Sequence, residues 1–329
     1  MDEFSHFGDK RILITGGLGF IGANLANRLV DLGASVTLVD SLVPEYGGNL
    51  FNITGIKDQV RVNISDVRDQ HSMRYLVQGQ DLLFNLAGQT SHLDSMQDPY
   101  ADLEINCRAQ VSILEACRQY NPDIKIVFAS TRQLYGKPDY LPVDEKHLLR
   151  PVDVNGINKM AGEWYHILYN NVYGIRACAL RLTNTYGPSM RVKDARQTFL
   201  GVWLRLLVEG KPFEVWEGHQ LRDFTYIDDV VSAMLLAAGP KEANGRIYNL
   251  GGEEILSLKE LADLLVQVNA GGEYNTRSFP EDRKRIDIGD YYSDFSLIRE
   301  ELGWQPQVSL REGLSRTLAF YREHLEHYV

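Results

Sequence analysis

The chain has 329 residues, 44 % of them hydrophobic and 24 % charged, with a net charge of −10. That length allows one large or two modest domains. The balance is that of a soluble globular protein, and the negative charge argues against nonspecific binding to nucleic acid or an anionic membrane. No run of about 18 apolar residues offers a membrane span. The N-terminal MDEFSHFGDK lacks the apolar core of a signal peptide. Cys107, Cys117 and Cys178 stand far apart without CxxC spacing, so they are expected as reduced core residues rather than as a disulfide or metal site. A cytoplasmic protein without a metal centre is expected.

In chain order, RILITG predicts a short strand, and IGANLANRLVDLG an amphipathic helix stopped near Gly33. SVTLVD, QVRVNISD and DLLFNLAG predict the next three strands. EINCRAQVSILEACRQYN predicts a helix ended by Asn121-Pro122, IKIVFAST a fifth strand, VNGINKMAGEW the opening turns of a helix, and IRACALRLTN a further strand. This βαβ rhythm predicts an α/β fold with a Rossmann-type, doubly wound parallel sheet covered by helices on both faces. The rhythm changes after about residue 185, where FEVWE and RIYNLGG mix with SLKELADLLVQVN. Residues 1–185 are therefore expected to form the nucleotide-binding domain and 186–329 a smaller α/β lobe, with some later segments, about 223–250, interleaved with the first.

The first chemical signal is TGGLGFIG. Gly16, Gly19 and Gly22 follow a strand and open a helix, which permits a tight turn and close approach of a pyrophosphate to the helix N-terminus. Asp40 ends the second strand at nearly the spacing of about 20 residues expected for a ribose-binding carboxylate. A carboxylate there accepts hydrogen bonds from a ribose diol and repels a 2′-phosphate, which favours NAD over NADP.

With TGGLGFIG, NLAG (85–88), ASTRQLYG, RLTNTYGP, LRDFTYIDDV and LGWQP in this order, nearly the whole chain resembles the extended short-chain dehydrogenase/reductase family of nucleotide-sugar epimerases and dehydratases. The resemblance implies that Gly16, Gly19, Phe20, Ile21, Gly22, Asp40, Leu86 and Ala87 hold NAD, and that Asp66 approaches the adenine. It implies Thr131 as the active-site hydroxyl and Lys159 as the group that holds the nicotinamide ribose. Asn184 and Arg222 would contact the diphosphate of a nucleotide sugar, His92 would stand on a loop over the site, and Arg132 would bring positive charge to the pocket. The family's dimers pair two helices per subunit, here matched by 100–120 and 155–171, so a homodimer is expected.

Two departures bear on the reaction. The family carries a catalytic Tyr four residues before the Lys, and here that position is Asn155. An amide has no titrating proton near neutral pH, although it can hydrogen-bond a substrate oxygen. Thr131, His92, Tyr165, or Lys159 acting through a water, are the candidates to replace the Tyr. The second departure is Arg132-Gln133, where the 4,6-dehydratases carry an Asp-Glu pair and the decarboxylases usually a Glu at the second position. An epimerase that uses transient hydride transfer is therefore the expected activity. A dehydratase, decarboxylase or reductase with a rebuilt site is the alternative, and a binding protein silenced at Asn155 is another.

Overall fold

The computed structural model describes residues 3–280 and 286–329. The strands β1 (Arg11–Thr15), β2 (Ser35–Asp40), β3 (Arg61–Ile64), β4 (Leu82–Asn85), β5 (Lys125–Thr131), β6 (Arg176–Leu182) and β10 (Ile247–Asn249) build the main sheet. Its order is β10-β6-β5-β4-β1-β2-β3, and every pairing is parallel. The reversal of strand order beside β1 is the switch point at which such sheets take ligands. Both faces of the sheet are covered, so the strands read as apolar runs, β4 and most of β5 being buried throughout.

Helices α1 (Phe20–Asp31), α2 (Gln70–Leu76), α3 (His92–Gln97), α4 (Pro99–Leu103), α5 (Ala109–Tyr120) and α6 (Val154–Tyr173) connect the strands. The helix expected over 104–121 is continuous with α4, and a π-helical turn, Glu104–Arg108, joins α4 to α5. Such turns often mark functional sites. Here the turn lies against α6 so closely that a Cβ on Gly162 would stand 2.7 Å from the Asn106 carbonyl oxygen. Helix α6 starts at an N-cap, Asp153, whose carboxylate accepts the Gly156 N–H at 2.7 Å, and ends at Gly174 in the left-handed region.

Beyond β6 the chain forms two small sheets. β7 (Asn184–Tyr186) pairs with β9 (Leu221–Tyr226), which pairs with β11 (Ile255–Ser257); β8 (Phe213–Trp216) pairs with β12 (Tyr274–Arg277). α7 (Phe199–Val208), α9 (Leu258–Val268) and the helix Leu310–His324 pack around them. α8 (Ile227–Ala238) returns to the main sheet and packs on α1, and it is followed by β10. Cys117 and Cys178 are buried and free, whereas Cys107 on the π-turn is only half-buried.

A buried ion pair fastens α6 to the sheet. Arg181 on β6 meets Glu163 at 2.6 Å, Ser130 donates to the same carboxylate at 2.6 Å, and the Tyr135 hydroxyl stands 2.6 Å from Arg181. Removing one partner from such a pair typically costs about 3–5 kcal/mol, because the other charge stays buried.

Candidate active site

The turn between β1 and α1 is dictated by its glycines. Gly16 has φ +67° and lies so near the neighbouring loop that a Cβ would stand 3.0 Å from the Ala87 nitrogen. A Cβ on Gly22 would collide with the Gly16 carbonyl oxygen. No side chain caps α1, so its first N–H groups remain for a ligand. Gly16, Gly19, Phe20, Ile21 and Gly22 form one wall of a groove, with Leu86, Ala87, Asp40 and Asp66 around it. The Asp40 carboxylate accepts the Leu18 and Leu42 N–H groups at 3.1 and 2.9 Å, and burial holds its pKa above the ordinary value. Asp66 lines the groove, but its carboxylate is gripped by Arg68 at 2.6 Å, which lowers its pKa. All nine expected cofactor residues other than Lys159 therefore converge on one groove.

Lys159 sits beneath it. Its side chain is buried, Nζ donates to the Ala129 carbonyl at 3.1 Å, and a Cβ on Gly88 would stand 2.9 Å from Nζ. Ala129 and Gly88 line the groove, whereas Lys159 itself does not. Burial pulls the ammonium down to about 8, and the Asp102 carboxylate opposes that shift. Thr131 ends β5 between Ala129 of the groove and Arg132 of a second cavity, and its Oγ1 accepts the Gln133 N–H at 3.2 Å.

Asn155 departs from expectation. It is buried and lines neither cavity. Its amide donates to the Gln89 carbonyl at 2.8 Å and to Asp102 Oδ2 at 3.0 Å, and its backbone N–H points to Ser95 Oγ. Asn106 and Asn158 donate to the same buried Asp102. The position expected to face the substrate is thus closed into an amide–carboxylate cluster that ties α6 to α3 and α4. Asn155, expected to hydrogen-bond a substrate oxygen, has both of its side-chain N–H groups engaged within the protein.

The second cavity, of about 750 Å³, brings together His92, Arg132, Asn184 and Arg222, as expected of substrate-binding residues. Phe199, Trp203, Trp216 and Phe279 supply an aromatic wall that sequence patterning did not single out. The Arg132 guanidinium is buried, stacks 5.0 Å from the Tyr291 ring and bonds Asn184 Oδ1 at 3.2 Å; its Nη1 has no hydrogen-bond partner among the described residues. Burial lowers the pKa of Arg132. Arg222 is pulled down to about 10, by burial first and then by the charge of Arg132. Two buried guanidinium groups that repel one another suit an anionic ligand. The cavity meets the cofactor groove at Arg196 and Gln197, which line both.

His92 also has a partner that sequence reasoning missed. Its Nδ1 lies 2.9 Å from Asp153 Oδ2, although the N–H is not aimed well enough at that oxygen to count as a hydrogen bond. Asp153 has no exposed side-chain surface and also accepts from Gln133 Nε2 at 2.8 Å. Burial alone would raise its carboxyl, but the imidazole, the Gly156 N–H and the Gln133 amide outweigh burial and hold it below the ordinary value. The one signal in the sequence was an Asp placed as the N-cap of a helix.

The groove and the cavity both lie at the carboxyl ends of the parallel strands. With the glycine turn and Asp40, they define a dinucleotide-binding protein of the Rossmann type with a second, ligand-sized cavity beside the cofactor groove. The chain belongs to the NAD dependent epimerase/dehydratase family, whose model matches residues 12–251. It is 32 % identical over 315 residues to a putative UDP-glucose 4-epimerase of Methanocaldococcus jannaschii, covering 95 % of this chain and 99 % of that one. It is 30 % identical over 321 residues to a dTDP-glucose 4,6-dehydratase of Streptomyces griseus, covering 95 % and 94 %. The structure of a UDP-glucose 4-epimerase with UDP-glucose from Thermotoga maritima superposes with a TM-score of 0.86 at 27 % identity, covering 96 % of this chain and 99 % of that one.

Proposed function

We propose that the protein is an NAD-dependent epimerase of a nucleotide diphosphate sugar. The observation that carries this reading is that the two cavities adjoin, with Arg196 and Gln197 lining both. The groove fits NAD: the glycine turn leaves the first N–H groups of α1 uncapped for a pyrophosphate, and Asp40 presents a carboxylate suited to a ribose diol. Bound NAD supplies a hydride acceptor that becomes a hydride donor. Lys159, below Ala129 and Gly88, stiffens the floor under the ribose, and Thr131 offers a hydroxyl at the end of β5. Arg132, Asn184 and Arg222 hold the diphosphate, and the aromatic wall covers the rest of the substrate.

Epimerisation is favoured over water loss or decarboxylation by the residues after Thr131. Arg132 is a cation with its guanidinium turned inward and Gln133 an amide engaged with Asp153, so neither supplies an acid or a base. The reading includes a homodimer through the exposed faces of α4 and α6, and a reducing, cytoplasmic setting in keeping with three free cysteines. The rival reading, a silenced binding protein, draws on the engagement of Asn155 away from both cavities.

Mass spectrometry of small molecules released from the purified protein tests the proposal. NAD is expected together with a nucleotide diphosphate sugar, or with NAD alone when the protein is washed with free nucleotide. Release of NADP in place of NAD, or failure of the stripped protein to bind NAD in calorimetry, overturns it.

A further inference from the structure

The proposed reaction needs a group that takes a proton from a sugar hydroxyl and later returns it. Asn155 does not provide one. Tyr165 lines neither cavity and packs against the core on the α5 side. Lys159 is buried with its Nζ on the Ala129 carbonyl. The carboxylates of the large cavity are each ion-paired: Asp94 and Asp194 with Arg196, Glu214 with Arg277, Asp287 with Arg222. His92 is different. Its side chain is 39 % exposed, lines the cavity and is held from behind by a fully buried carboxylate.

We propose that His92, positioned by Asp153, is the catalytic acid/base of this protein and stands in for the tyrosine absent at position 155. This inference rests on the epimerase reading above. Asp153 is a positioning residue. It is fixed at the start of α6 by the Gly156 N–H and by Gln133, whose own N–H is tied to Thr131 Oγ1. His92, Asp153, Gln133 and Thr131 are thereby one connected chain from the cavity wall to the end of β5.

The chemistry follows from that geometry. A carboxylate beside Nδ1 draws the ring proton to that nitrogen and leaves Nε2 free to accept another. The sugar O–H bond breaks and an Nε2–H bond forms. The oxygen's electron pair becomes the second C–O bond, while the carbon's hydrogen leaves with its own pair as a hydride, which bound NAD would accept. When that hydride returns to the carbon from the other side of the turned-over sugar, the C–O π pair goes back to oxygen and Nε2–H gives its proton to it. The imidazolium in between is stabilised by Asp153. The imperfect aim of the Nδ1–H in the free protein is the usual state of such contacts before substrate is seated. The other charges near the ring are Asp94 on its own helix, paired with Arg196, and Arg132 and Arg222 of the same cavity.

Two measurements test the assignment. In nitrogen-15 NMR of the whole protein, the His92 ring, identified by its loss in His92→Gln, is expected to show a protonated Nδ1 and a bare Nε2 when neutral. Asp153→Asn, which keeps the helix cap, is expected to relax that preference. The opposite tautomer, or no change in Asp153→Asn, overturns the role of Asp153. The second measurement follows interconversion of UDP-glucose and UDP-galactose as the probe pair. His92→Ala is expected to lose ~10²–10⁴ in kcat, with KM changed less than about threefold, and added imidazole is expected to restore part of the rate. Turnover in His92→Ala within threefold of the unmodified protein overturns the assignment while leaving the epimerase reading intact. No conversion of either sugar nucleotide by the unmodified protein strikes the choice of substrate, and the tautomer still decides the state of His92.

Discussion

The two N–H groups of Asn155 point into the protein, at Gln89 and Asp102, and Asp102 is fully buried with three amide donors around it. A tyrosine ring in this place has to displace that cluster, and it leaves the carboxylate with one donor fewer. Asn155→Tyr is therefore expected to lose on the order of 2 kcal/mol of stability and to gain no turnover. A lower thermal midpoint with unchanged or lower activity agrees with this, and an equally stable variant with a large gain in rate contradicts it. At this scale the sequence was legible where function is local. The glycine turn, Asp40, and the NLAG segment could be read because their spacing along the chain is their geometry. Asn155 could not, since Gln89 and Asp102 lie 66 and 53 residues away along the chain. The His92–Asp153 contact was hidden for the same reason: the fold alone brings the start of α3 to the start of α6.

Helix α6 has two sets of apolar residues, and α4 adds an exposed one beside it. One set of α6, including Gly162 and Ile167, is buried, while Ile157, Trp164, Leu168 and Val172 are about half exposed or more; Tyr100 and Leu103 are exposed on α4. An uncovered group of this kind on neighbouring helices fits a self-complementary partner face. The double substitution Trp164→Arg and Leu168→Glu is expected to turn a dimer into a folded monomer, read by light scattering at micromolar concentration with circular dichroism as the control. A monomeric unmodified protein, or an unchanged mass in the variant, contradicts the dimer. The main strands and the long helices were legible because apolar runs and 3.6-residue stripes are strong signals. The π-turn at Glu104–Arg108 was not, because its sequence keeps the helical stripe, and its extra residue per turn is set by the close approach of Gly162 on α6. β7 and β11 were missed because three-residue strands carry no period of their own and exist through pairing with β9.

At the scale of the molecule, a parallel sheet places a cofactor groove and an anion-seeking cavity side by side at its carboxyl edge, and two residues, Arg196 and Gln197, line both. Arg196 is tied to Asp94 at 2.7 Å and to Asp194 at 3.1 Å, so the segment that carries it is braced against α3, the helix that begins with His92. The sequence predicted the sheet, the glycine wall and acidic residues of the groove, and the four polar residues His92, Arg132, Asn184 and Arg222 of the larger cavity. It did not predict that one segment lines both, since residues 191–197 have no periodic signal and are tied to a distant part of the chain through the Arg196–Asp94 ion pair. The central claim is that this joined site runs a redox-neutral cycle on a nucleotide diphosphate sugar. The most direct test is to incubate the NAD-loaded protein with UDP-glucose and other nucleotide diphosphate sugars, without added oxidant or reductant, and to follow the products by NMR and mass. The account predicts a new sugar nucleotide of unchanged mass that approaches a constant ratio with its substrate, and no net accumulation of NADH. A product lighter by water or by carbon dioxide, or no conversion of any sugar nucleotide while NAD remains bound, contradicts it.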